Sequence, residues 1–186
     1  MRGPVTDAAV FEATLTVLAQ RGYARATTRS IATAAGVNEV TLFRRYGDKR
    51  SLVLAAIHAD VSTLADQGLA PSGDVEADLV RVVEHYAGLY QRRDGLVAAL
   101  LLEGAQDPEV AALIAEPLAA MTRLGELIGH YQEAGQLAPG PTDFAVQALL
   151  APLLLTDVMR RMTSSPAAPP DPALVVRRFL AGHGPT

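Results

Sequence analysis

The sequence predicts an all-α protein of nine helices, with a small three-helix N-terminal domain, residues 1–50, joined to a larger helical bundle, residues 51–186. Three observations carry this. Apolar residues recur at i, i+3, i+4 and i+7, while the period-two alternation of half-buried strands is nearly absent. Gly and Pro clusters divide the chain, and most apolar segments are preceded by a capping residue. A hydrophobic content of 49% over 186 residues supplies enough apolar surface for a sizeable core.

The elements follow in order. Phe11, Thr14, Leu15 and Leu18 form one stripe of a first helix, about Val5 to Arg21, that Gly22 stops. Thr27 is placed to cap a short second helix, Thr28 to Ala35, and Asn38 to cap a third, Glu39 to Tyr46. Asp48 can open a fourth that reaches Gly68. After the loop APSGD, Asp74 caps a fifth helix to about Arg93, and a sixth covers Gly95 to Gln106. Asp107-Pro108 joins an N-cap to proline at the first helical position and starts a seventh, ending near Ala134. Thr142 to Thr163 forms the eighth. Asp171-Pro172 repeats the cap-plus-proline signal for the ninth, to about Ala181.

The net charge of −4 conceals an asymmetry. Residues 1–55 carry eight Arg/Lys against four acids, whereas residues 56–186 carry eight against sixteen. A basic end on an acidic body suits a polyanion-binding head, with solvated surface charge as the plainer alternative. There is no cysteine, which removes disulfides, thiolate nucleophiles and cysteine-ligated metals. MRGPVTDAAV has no signal-peptide pattern, so a cytoplasmic location is expected. The longest apolar run, Phe144 to Val158, is interrupted by Gln147 and Asp157 and falls short of the roughly 20 residues a bilayer requires, so no membrane association is expected.

Residues 28–46 fit a helix-turn-helix. Ile31, Ala32 and Ala35 face inward on its first helix, Gly36 forms the turn, Val37 the wedge, and Leu42 and Tyr46 face inward on its second. At 100° per residue, Val40 and Arg44 lie opposite Leu42, with Thr41 and Phe43 on the flanks. Such a helix enters a major groove by its N-terminal turn: Glu39, Val40 and Thr41 meet base edges, and Arg44 reaches a guanine or a phosphate. Thr27, Thr28 and Lys49 are candidate phosphate anchors. Arg45 lies nearer the Leu42 side and is placed to grip the backbone or an acidic neighbour.

The stretch RGYARATTRSIATAAGVNEVTLFRRYGDKRSLVLAAI resembles the DNA-binding domain of TetR-type (TetR/AcrR) transcriptional regulators, with several of that family's elements in order and at their spacing. The resemblance covers residues 5–55 in detail. It implies a ligand-responsive, homodimeric DNA-binding regulator, in which a repressor is released from a palindromic operator by a small molecule that the C-terminal part binds. Phe43 departs from the family, which usually has a phosphate-binding tyrosine there, and Gly47 stands where proline is common. Glu39 is also unusual; it can accept from cytosine N4, yet it repels phosphates.

In the C-terminal part, the helix FAVQALLAPLLLTDVM is apolar on more than one face, so more than one side is covered. Together with the last helix it resembles the family's dimer surface, with Leu149, Pro152, Leu153, Leu174, Arg178 and Phe179 as candidate interface residues. Effector candidates are the polar or aromatic residues on otherwise apolar helices: His85, Tyr86, Tyr90, Glu103, Met121, Tyr131 and Gln147. The histidines lack metal-ligand spacing and no nucleophile elbow or phosphate loop appears, so neither a metal, a cofactor nor an enzymatic activity is expected. The alternative from another class is a helical small-molecule-binding or scaffolding protein whose DNA-binding head does not function.

Overall fold

A computed structural model describes residues 5–65, 69–93, 95–163 and 169–184, without the side chains of residues 61–65, 116–121 and 161. Among the described residues the elements are α1 (Asp7–Arg25), α2 (Thr28–Ala35), α3 (Glu39–Tyr46), α4 (Lys49–Ala65), α5 (Val75–Arg92), α6 (Leu96–Gly104), α7 (Pro108–Glu133), α8 (Thr142–Thr163) and α9 (Pro172–His183), with no strand. Helix α1 is itself two segments joined at Gly22, where φ is +73° and the backbone leaves the helix, so ten helical segments are present among the described residues. The predicted caps explain most of these boundaries. Thr27, Asn38, Asp74 and Asp171 each accept a first-turn N–H through the side chain, and Thr6, which the sequence reading did not single out, does the same for α1.

The chain divides into two compact units, Met1–Thr63 with Leu96–Pro117, and Leu64–Gly95 with Leu118–Thr186. The first is larger than a head of residues 1–50. Its core gathers Val10, Leu15 and Leu18 of α1, Ile31 and Ala32 of α2, Leu42 of α3 and Leu52, Val53 and Ala56 of α4. Leu96 and Leu100 of α6, with Val110 and Leu113 of α7, complete it. Helix α1 packs along both α2 and α6. Thr14 is buried within the stripe of α1 because its hydroxyl donates to the Val10 carbonyl at 2.8 Å, which removes the penalty of burying it.

The second unit packs α5 along α9 and α8. Leu79 and Val83, Leu124 and Ile128, Leu149 and Leu150, and Val176 fill its core. Asp78 pins the loop that enters α5: its carboxylate accepts from Ser72 N at 2.7 Å, from the Ser72 hydroxyl and the Arg81 guanidinium at 2.5 Å each, and from the Tyr131 hydroxyl. Helix α8 continues through Pro152. Its window Thr142–Arg160 is by length and composition apolar enough to cross a membrane, but Ala145, Val146, Leu149, Leu150 and Leu153 turn into the unit's own core, and Asp157 and Arg160 form an ion pair within the window.

Candidate nucleic-acid interface

The helix-turn-helix is held together by the residues its pattern singled out. Thr27 and Ser30 form a reciprocal capping box at the start of α2, the Thr27 side chain taking the Ser30 N–H and the Ser30 side chain taking the Thr27 N–H. Gly36 closes α2 in the left-handed region, φ +68° and ψ 29°, where a Cβ would be strained, and its turn carries the chain into α3 within three residues. Asn38 then caps α3 through the Val40 N–H at 2.9 Å. Ile31, Ala32 and Leu42 are buried between the helices. Burying the inner face leaves α3 to present Val40, 70% exposed, Phe43, 51% exposed, and the exposed Arg44, with Thr41 half-buried beside them.

The two adjacent arginines have different surroundings. Arg45 bonds to Asp7 at 2.5 Å and to the Val5 carbonyl at 3.1 Å, tying α3 to the start of α1, and the Tyr46 hydroxyl donates to the same Asp7 carboxylate. Burial, then that hydrogen bond, pushes the Tyr46 hydroxyl up to about 12. Arg44 stays on the outer face. Lys49 donates to the Tyr23 carbonyl at 3.0 Å, and its ammonium lies 3.8 Å from the centroid of the Tyr23 ring, a cation–π contact. Thr28 is engaged as well, its hydroxyl donating to Glu39 at 2.6 Å.

Sequence reasoning missed what fixes the entry to this motif. Glu103 accepts from the Tyr23 N–H through one oxygen and from the Ala24 N–H through the other, both at 2.9 Å. A Cβ on Gly22 would stand 3.2 Å from the same carboxylate, so this glycine serves both the positive φ and the close approach. The Tyr23 hydroxyl donates to Glu109 at 2.6 Å, and burial, then that bond, raises its pKa. Glu103 had stood out only as a polar residue on an apolar helix. Nothing local pairs it with a backbone turn eighty residues earlier.

The remaining effector candidates belong to the second unit. His85, Tyr86 and Tyr90 share α5, with the His85 and Tyr86 rings edge to face at 6.1 Å. Tyr86 and Tyr90 pack half-buried against the core, and burial raises the Tyr86 hydroxyl. Burial first, then Tyr86 and the buried Asp157 of α8, push the Tyr90 hydroxyl up to about 12. Tyr131 is fully buried, its hydroxyl donating to Asp78 and accepting from Gly73 N at 3.2 Å, so its polar atom is committed to the loop before α5. Gln147 is exposed, and the side chain of Met121 lies outside the described residues.

Of the expected interface residues, Leu149, Leu153 and Phe179 are interior to the unit, because they lie on the sides of α8 and α9 that meet α5 and each other. Pro152, Leu174 and Arg178 are exposed. The apolar side chains that α8 offers outward are Phe144, Leu155, Met159 and Met162.

Comparison with known proteins agrees with this geometry. The family of bacterial regulatory proteins described as the tetR family matches residues 10–56, from the first helix of the head into α4. The uncharacterized HTH-type transcriptional regulator YvkB of Bacillus subtilis (strain 168) is 25% identical over 131 residues, 70% of this chain and 68% of that protein. Among solved structures, a TetR family transcription regulator from Marinobacter aquaeolei VT8 superposes with a TM-score of 0.74 at 18% identity, over 97% of this chain and 96% of that one. The transcriptional regulator FadR from Bacillus subtilis, in complex with stearoyl-CoA, gives 0.75 at 16% identity, over 93% and 95%. At such identities the structural likeness is one of fold.

Proposed function

We propose that this chain, whose residues 10–56 match the tetR family of bacterial regulatory proteins, is a transcriptional regulator of that family and acts as a homodimeric repressor released from a palindromic operator by a small molecule. The observation that carries the reading is the outer face of α3: Val40, Thr41, Phe43 and Arg44 are turned away from a closed core at the end of the chain that carries the excess of basic residues. Val40 and Phe43 are large apolar side chains left exposed side by side on this face. Against a major groove they meet thymine methyl groups and sugar edges, while Arg44 takes a guanine edge or a phosphate.

Register comes from the phosphate contacts around that helix. Thr27 is exposed at the N-terminus of α2, and Lys49 keeps N–H groups beyond the one it gives to Tyr23. Two heads reading one palindrome require a two-fold axis that sets them one helical turn, about 34–36 Å, apart. The exposed Pro152, Leu155, Met159 and Met162 of α8, with Leu174 and Arg178 of α9, form the surface we assign to that dimer.

The effector binds beside His85, Tyr86 and Tyr90 of α5, whose aromatic rings supply a largely apolar lining with few polar groups. It lowers operator affinity to the extent that it binds better to a dimer whose heads are wrongly spaced. The test is binding of the purified protein to duplexes from its own promoter region, followed by fluorescence anisotropy at several salt concentrations, with sedimentation for the oligomeric state. A dimer with steep salt dependence is the expected result. A monomer with no affinity for any such duplex refutes the proposal.

A further inference from the structure

The contact between Thr28 and Glu39 has a consequence for which base this protein reads. Thr28 is the first residue of α2 and Glu39 the first of α3, and both are half-buried. The Thr28 hydroxyl lies 2.6 Å from Glu39 Oε1. A carboxylate at this distance takes the only proton the hydroxyl has, so Thr28 is left with lone pairs alone, and a phosphate oxygen cannot use them. The neighbouring Thr27 differs: its oxygen accepts the Ser30 N–H, and its own proton remains available to a phosphate. Of the two adjacent threonines, one is thus a phosphate anchor and the other holds Glu39.

What is held is an acceptor with one oxygen engaged and the other uncommitted, at the first turn of α3 beside the exposed Val40. Close to DNA a carboxylate is repelled by every phosphate, so it is tolerated only where a base offers a donor. In the major groove guanine presents O6 and N7 and thymine presents O4, all acceptors. Adenine offers its N6 amino group beside the N7 acceptor. Cytosine alone shows an amino donor with no adjacent acceptor. Because Thr28 fixes the side chain before DNA arrives, little rotamer freedom is lost on docking, and the carboxylate cannot swing aside to tolerate the wrong base.

We infer that Glu39, positioned by Thr28, is a specificity-determining residue that selects cytosine at one position of each half-site. This rests on the DNA-binding reading above and adds to it a base. The experiment is selection from randomised duplexes by the wild-type protein, Glu39→Gln and Thr28→Val. The wild type should enrich a palindrome with cytosine at one symmetric position, and replacing that base by guanine or thymine should weaken binding about tenfold or more. Glu39→Gln should change that position alone, toward adenine, because an amide offers both the donor and the acceptor that adenine N7 and N6 require. Thr28→Val should keep cytosine but discriminate less sharply.

A duplex carrying pyrimidin-2-one in place of that cytosine removes only the 4-amino group and needs no variant to fold; the wild type should lose affinity for it by about the same tenfold. Enrichment of an unchanged sequence by Glu39→Gln, or full affinity for the pyrimidinone duplex, overturns the inference and leaves DNA binding standing. Absence of any enrichment by the wild type overturns both.

Discussion

Replacing Glu103 with alanine removes both acceptors of a fork that holds the turn between the two segments of α1. The magnitude follows from what each amide then faces. Tyr23 is 2% exposed, so its N–H has little access to water, and losing a bond to a carboxylate there costs about 1.5–3 kcal/mol. Ala24 is exposed and its N–H recovers a water, so the second bond contributes closer to about 0.5 kcal/mol. Glu103→Ala should therefore destabilise the first unit by roughly 2–3.5 kcal/mol. Amide hydrogen exchange at fixed protein concentration measures this locally: Tyr23 and Ala24 should lose protection, by about 30-fold or more at Tyr23, while Leu79 and Ile128 of the second unit keep theirs. Gly22→Ala should weaken the same turn through its φ of +73°, and the two substitutions should be non-additive because the new Cβ approaches the very carboxylate that Glu103→Ala deletes. Unchanged exchange at both amides in Glu103→Ala would refute the reasoning.

Four further expectations concern pH, DNA, assembly and stability. Burial opposes ionisation of Asp78, but the hydrogen bonds from Ser72, Tyr131 and Arg81 outweigh it and hold its pKa down to about 2 from 3.8. A group depressed on folding stabilises the folded state above its unfolded pKa, so roughly 2 kcal/mol should be lost as pH falls from about 5 through about 2. Acid titration monitored by circular dichroism should show that limb, and Asp78→Asn should flatten it. Arg44→Ala should weaken operator binding about tenfold by anisotropy; a salt slope shallower by about one marks a phosphate contact, whereas an unchanged slope with relaxed sequence preference marks a base. Leu155→Glu and Met159→Glu place charges on the exposed face of α8 and should yield folded monomers by sedimentation. Tyr46→Phe should cost about 1 kcal/mol in chemical denaturation by removing the hydroxyl bond to Asp7.

The helix boundaries were largely legible because capping is local. Thr27 needs only Ser30, Asn38 only Val40, and Asp74 only Ala77, so a few consecutive residues state where a helix begins. The turn of the helix-turn-helix was legible for the same reason, since the conformation at Gly36 is a property of one residue. The periodicity of α3 likewise separated Leu42 from Val40 and Arg44, and it set Arg45 apart toward an acidic neighbour that proved to be Asp7. Helix α1 continues past its stop because Gly22 breaks the backbone without ending the chain's helical course, which resumes over Tyr23 to Arg25.

What periodicity could not divide was an apolar helix with two covered sides. Along α8, Leu149 and Leu153 differ from Leu155 and Met159 only in which neighbour they meet, and hydrophobicity is the same whichever way a leucine points. The extent of the first unit was hidden too, since Leu96, Leu100, Val110 and Leu113 join the core of α1 to α4 from forty residues beyond it. Sequence alone thus determined the helices, their caps and the outer face of α3, all of which depend on contacts within about four residues. Only the tertiary structure decided that Glu103 braces a backbone turn, that Tyr131 serves Asp78 and that Thr28 holds Glu39. A hydrogen bond is set by distance in space, and a polar residue carries no mark of a partner eleven, fifty-three or eighty positions away.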